Sequence, residues 1–146
     1  MKTFSNVEVQ IAVCGLIFKE KKILFLKRAS SDEFASRGAW TFPGGRVKHN
    51  EAPDNAILRE IKEETNLDVE ILRPLKIWSG TKGTVWRVSI QYLCKFLSGN
   101  VKLSKEHDDY VWATFDALDR MMVENWVKES VILAKQETTI NDNINN

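Results

Sequence analysis

Three glutamates, Glu60, Glu63 and Glu64, crowd into the stretch Arg59–Asn66, REIKEETN. On a helix of 3.6 residues per turn, spacings of three and four bring their carboxylates to one side. Glu60 and Glu64 then form a like-charge i,i+4 pair, which weakens an isolated helix by roughly 0.2–0.5 kcal/mol. Glu63 and Glu64 also stand near the helix C-terminus, where the macrodipole disfavours anions. A solvated acidic face is one reading of such a stretch. A divalent cation site is the other. A hard cation takes oxygen ligands from a few carboxylates, keeps waters for substrate phosphates, and removes both repulsions.

The residues upstream sharpen the choice. WTFPGG, Trp40–Gly45, ends in a Pro-Gly-Gly turn, and Gly44 and Gly45 let main-chain N–H groups come close to a ligand or a helix. Pro53 suits the first turn of a helix that begins at Asn50 or Glu51 and runs to about Thr65. Asn66 tolerates the left-handed conformation that ends helices. Around this helix Ile57, Leu58 and Ile61 form the apolar stripe. Ala56, Glu60, Glu63 and Glu64 lie beside it, and Arg59 and Lys62 point further round. From Gly45 to Leu67 the pattern is G-x5-E-x7-R-E-I-K-E-E-T-N-L. It closely resembles the box of the Nudix family, G-x5-E-x7-REUxEExGU with U apolar, with Asn66 in place of the family's glycine. WTFPGG resembles the family's lead-in to that box.

The resemblance implies an α/β/α sandwich around a mixed β-sheet. It also implies Mg²⁺- or Mn²⁺-dependent hydrolysis of a pyrophosphate bond in a nucleoside diphosphate derivative. It implies that Glu60, Glu63 and Glu64 bind metal, with Gly44 counted beside them. By the same resemblance Arg59 orients a catalytic glutamate, and Glu51 steadies the loop and helix start. Family members differ in their general base, so Glu60 ranks first here and Glu106, in SKEHDDY, second. His107, Asp108 and Asp109 beside it are alternatives. Arg28 and Arg46, with Gly45, are the candidates for phosphate binding. Arg37, Lys82 and Arg87 are weaker ones. Trp78 and Trp86 flank SGTKG and could stack on a base, although Trp86 alternates with Val85 and Val88 as an inward-packing strand residue would. Phe34 is a candidate lid, and Trp40 reads as core. Family substrate signatures for ADP-ribose, dinucleoside polyphosphates and coenzyme A are absent. That leaves a nucleoside triphosphate, ordinary or oxidised, as the expected substrate. ADP-ribose or a nucleotide sugar is the runner-up, and a non-catalytic nucleotide-sensing module is the alternative outside the enzymes.

The rest of the chain must position these groups. Strands are expected at Val7–Phe18 and Ile23–Lys27, paired as a hairpin. Two more, Asp68–Trp78 and Thr84–Leu97, are joined around SGTKG, and a short one spans Tyr110–Phe115. Asp116 is expected to cap a short helix, and a longer helix covers Glu124–Gln136. This mixture lacks regular βαβ alternation, which fits a mixed α+β domain spanning 1–146 with a frayed polar end from 137. Lys and Arg total 21 against 20 Asp and Glu, a net charge of +1. That balance gives no support for a broad nucleic-acid or membrane surface, so any polyanion must be met by a local site; the resemblance implies that it is a small nucleotide. The first residues lack the apolar core of a signal peptide, and no apolar run is long enough to span a membrane. Cys14 and Cys94 lie in apolar strands, as buried reduced thiols would. A cytoplasmic protein is expected, and a homodimer is compatible with everything above.

Overall fold

The computed structural model describes residues 7–145 other than Glu33, with side chains through Glu137. Apolar, β-branched runs alternate in facing along β1 (Glu8–Lys19) and β2 (Lys22–Arg28). They join as a hairpin, with Phe18 opposite Ile23. The hairpin pairing is short. Nearer its start, β1 exchanges β2 for β4 (Gly44–Arg46), and along its other edge it runs parallel to β6 (Val85–Ser98). β5 (Asp68–Lys82) continues the sheet antiparallel beyond β6. On the other side β2 carries β3 (Trp40–Thr41) and β7 (His107–Ala113). One parallel pairing among antiparallel ones makes the sheet mixed, as expected.

Both faces of the sheet are buried, and the period-2 alternation decides which residue goes where. Val13 and Ile17, Leu24 and Leu26, Tyr92 and Cys94 face the helix α1 (Pro53–Thr65) through Ala56, Ile57 and Ile61. Cys14 and Leu16, Ile23 and Phe25, and Leu93 face the other way, against Val127, Val131 and Ala134 of α2 (Asn125–Asn145). This is the α/β/α sandwich. Gly15 lets α1 lie close, because a Cβ there would stand 2.9 Å from the Ile61 Cδ1.

Several boundaries differ from the sequence reading. The Pro-Gly-Gly segment is a strand as well as a turn, since Gly44–Arg46 pairs with β1. SGTKG is not the connection between β5 and β6. Ser79–Lys82 still pair along β5, and only Gly83 and Thr84 turn the chain. β7 starts at His107, three residues earlier than expected. The short helix is a 3₁₀ segment, Phe115–Arg120, in which Thr114 is the capping position and Asp116 lies inside the first turn. α1 begins at Pro53 after Ala52, which has no side chain to cap it. Its buried stripe is Ala56, Ile57, Ile61, Glu64 and Thr65, whereas Leu58 is exposed. The stripe is thus rotated toward the glutamates. α2 is helical through Asn145. The frayed end expected from 137 concerns side chains from 138 on and Asn146, which lie outside the described residues.

Candidate active site

Glu64 is the innermost of the three glutamates, with 2% of its surface exposed. Its Oε2 accepts the Gly44 backbone N–H at 3.1 Å, while Oε1 has no hydrogen-bond partner. Burial, together with the nearby Glu60 and Glu106 carboxylates, pushes its pKa up to about 9 despite the Gly44 hydrogen bond. A carboxyl so buried either keeps its proton or ionises against a cation. Glu106 and His107 answer from the start of β7. One ligand atom from each of Glu64, Glu106 and His107 lies within 4.8 Å of the other two. His107 is itself buried, and its Nδ1 has no partner. Burial first, then the Arg28 charge, lowers its pKa, so the ring is neutral near pH 7. The Ala29 N–H donates to the Glu106 carbonyl at 3.0 Å, and Lys102 N–H to the Thr65 carbonyl at 3.0 Å. The first ties Glu106 to the end of β2, and the second ties Lys102 to the end of α1. A donor set of two carboxylates and a neutral imidazole, two of them with orphaned atoms, fits a divalent cation.

Glu60 and Glu63 are held differently. Arg59 forks onto Glu51, with Nε to Oε2 at 2.7 Å and Nη2 to Oε1 at 2.9 Å. Its Nη1 donates to Glu60 Oε1 at 2.8 Å and lies 3.3 Å from Glu63 Oε2, and Nη2 also reaches the Arg46 carbonyl at 3.1 Å. One guanidinium therefore ties the helix start, the Gly turn and two glutamates together. Its hydrogen bond, aided by the Lys48 N–H, holds Glu51 down at about 2. Burial raises the pKa of Glu60, with Glu63 and Glu106 adding to it against the pull of Arg59. Glu63 is largely exposed. Gly45 is where the chain passes over Glu60, and a Cβ there would stand 2.5 Å from that carboxylate. At Gly44 it would stand 2.2 Å from the Val13 carbonyl. Asn66 closes the helix in the left-handed region, φ 64° and ψ 15°.

These groups open into a cleft of about 670 Å³ on the α2 side of the sheet, lined by Gly44, Gly45, Glu60 and Glu106 together with Arg28 and Arg46. Arg28 also braces the loop above it, through the Ser30 carbonyl at 3.1 Å and Asp32 at 3.3 Å. Arg37 is not among the lining residues. Phe34 is, edge-on to Trp78 with ring centroids 5.9 Å apart and with the Arg87 guanidinium 4.2 Å from its centroid. Arg87 is anchored by the Gln10 side chain at 2.7 Å. Trp40 packs against the core, as expected. Trp86 does not pack inward: it is 44% exposed and away from the cleft, because the inward position belongs to Val85. Lys82 and Arg87, weak candidates from the sequence, line the cleft together with Gln91, Glu124 and Trp126, which the sequence does not single out. The one signal for Arg87 is its alternation with Val85 on a strand. Cys14 also lines the cleft, but burial, with Cys94 and Glu64 adding to it, holds its thiol protonated.

A mixed sheet thus lies between two helices, with carboxylates converging on a cleft beside a glycine turn. The NUDIX domain model matches residues 8–134. The chain is 33% identical over 115 residues to the ADP-ribose pyrophosphatase of Methanocaldococcus jannaschii, covering 76% of this chain and 63% of that protein. To the nucleoside triphosphatase NudI of Klebsiella pneumoniae it is 30% identical over 118 residues, covering 73% of this chain and 82% of the relative. The fold superposes on the MutT protein from Methanosarcina mazei with a TM-score of 0.77 at 23% identity, over 90% of this chain and 96% of the other. The chain belongs to the Nudix family, and it is an enzyme of the Nudix hydrolase type.

Proposed function

We propose that the chain hydrolyses the pyrophosphate bond of a small nucleotide in the presence of a divalent cation, with a nucleoside triphosphate as the preferred substrate. The observation that carries this is the convergence of Glu64, Glu106 and His107, beside Glu60, at a cleft that also presents Arg28 and Arg46. Glu64 and Glu106 hold the cation, with Glu63 and the Gly44 main chain completing its surroundings through water. A bound cation neutralises phosphate oxygens and lowers the pKa of water. Glu60 takes the proton from the attacking water. Burial lifts the basicity of its carboxylate, and Arg59 fixes the carboxylate's direction. Arg28 and Arg46 orient the phosphates, and the Gly45 turn lets the chain pass without a side chain between substrate and Glu60. Phe34 and Trp78 offer the base an aromatic wall.

The nucleoside triphosphatase relative, matched over most of its length, supports the triphosphate reading. The ADP-ribose pyrophosphatase relative favours the second reading, in which a second ribose phosphate fills the open part of the cleft. A panel of ordinary and oxidised nucleoside triphosphates, ADP-ribose and nucleotide sugars, incubated with Mg²⁺ or Mn²⁺ and resolved by chromatography, separates them. The expected products are a nucleoside monophosphate and pyrophosphate. Turnover of ADP-ribose alone selects the second reading, and turnover of none of them overturns both.

A further inference from the structure

The three carboxylates of the helix explain why a cation should bind here, but they do not explain His107. This ring lies on β7, outside the box. It is 6% exposed, with Nδ1 unpartnered, and a ring nitrogen is within 4.8 Å of oxygens of both Glu64 and Glu106. Burying an imidazole without satisfying its nitrogen costs free energy unless a ligand completes it. The register of β7 on β2 puts His107 opposite Arg28, beside a β-bulge between Lys27 and Arg28. That bulge re-aims the strand where the cleft begins.

Donor atoms sharing one ion at bond lengths of about 2.1 Å stand no more than about 4.2 Å apart. A spread bounded by 4.8 Å closes onto an ion with side-chain movements of a few tenths of an ångström. We propose that His107 supplies an imidazole ligand to the cation held by Glu64 and Glu106, biasing the centre toward a first-row transition dication such as Mn²⁺ over Mg²⁺. Oxygen-only sites suit Mg²⁺, whereas a nitrogen donor favours transition ions along the Irving–Williams order. The inference rests on the cation reading of the preceding subsection.

The test uses the whole chain freed of metal. Mn²⁺ and Mg²⁺ affinities are measured by titration, and the Mn²⁺ complex is examined by pulsed electron paramagnetic resonance for coupling to ¹⁴N. The expected result is a directly bonded ¹⁴N signal, with Mn²⁺ held at least about tenfold more tightly than Mg²⁺. His107→Ala is expected to lose the signal and about tenfold or more in Mn²⁺ affinity, comparable to or above the loss from an outer-shell change, with Mg²⁺ affinity nearly unchanged. Mn²⁺ bound without ¹⁴N coupling overturns the role of His107 while leaving the carboxylate site intact. Equal losses for both ions would overturn it as well. No binding of either ion removes both this inference and the reading beneath it. If His107→Ala fails to fold, the ¹⁴N signal of the unaltered protein decides alone.

Discussion

Replacing Glu64 by Gln should make the metal-free protein more stable near neutral pH while removing its ability to bind metal. In the fold this carboxyl keeps its proton up to about pH 9, whereas in the unfolded chain it ionises at about 4.5. Between those values the folded state binds one proton more than the unfolded state. Its pKa is raised on folding, so its contribution is complete below about pH 4.5 and is lost as pH rises toward 9. The slope is about 1.4 kcal/mol per pH unit, which amounts to about 3 kcal/mol lost between pH 4.5 and pH 7. Only the folded pKa lying above 7 is needed for that figure. Gln cannot ionise, and its amide oxygen can still accept the Gly44 N–H. Urea unfolding of both proteins in chelator, from pH 5 to pH 8.5, gives a difference curve in which other titrating groups largely cancel. The variant should gain steadily on the parent as pH rises. Added Mn²⁺ or Mg²⁺ should reverse the order by stabilising only the parent. A flat difference curve would refute the reasoning, because Glu64 would then be ionised in the fold without a cation.

Gly45→Ala places a Cβ about where the Glu60 carboxylate now stands, 2.5 Å away, and should lower kcat/KM by about 100-fold with circular dichroism unchanged. Arg59→Lys cannot fork onto Glu51 and reach Glu60 at once, so steady-state kinetics should show a kcat loss of about 100-fold. Glu60→Gln should reduce kcat more than Glu106→Gln, and near-full activity in Glu60→Gln would move the base elsewhere. Cys14 and Cys94, both buried with thiols held protonated, should resist iodoacetamide at pH 8 in the native protein and react fully in urea, as read by mass spectrometry.

How far the site could be read depended on how local each part of it is. Most of Gly45–Leu67 is one helix and the turn before it. The left-handed Asn66 follows from residue type and position, whereas the fork of Arg59 onto Glu51, eight residues back, is found only in the fold. Leu58 was misplaced because a 100° rule gives the width of a stripe and not its centre. Packing against Gly15 and Tyr92 decides the centre, and it turns Glu64 inward. The other half of the site arrives by long-range pairing. Arg87 reaches Gln10 only because β6 runs parallel to β1, and Glu106 and His107 reach Glu64 only because β7 pairs with β2. Neither register leaves a periodic signal in the chain. SGTKG was misread for a related reason: its Gly and Ser suggest a turn, but cross-strand pairing with β6 keeps Ser79–Lys82 in the ladder.

The rotation of α1 turns the opening puzzle of REIKEETN into a division of labour. Had the three glutamates faced solvent equally, their repulsion would be screened and would cost little. The fold instead treats them unequally. Glu63 stays in water, Glu60 is half-enclosed under a guanidinium, and Glu64 is buried with one oxygen unpartnered. Burial makes the carboxyl at Glu64 hold its proton when no cation is present, while Arg59 keeps Glu60 aligned whether or not one is. Under the proposed function, cation binding expels a proton from the buried group, and Glu60, the proposed base, is already oriented by Arg59. A helix that was stable by itself would have no reason to bury Glu64. Under the same proposal, the local rule is broken at the position where a cation completes the structure.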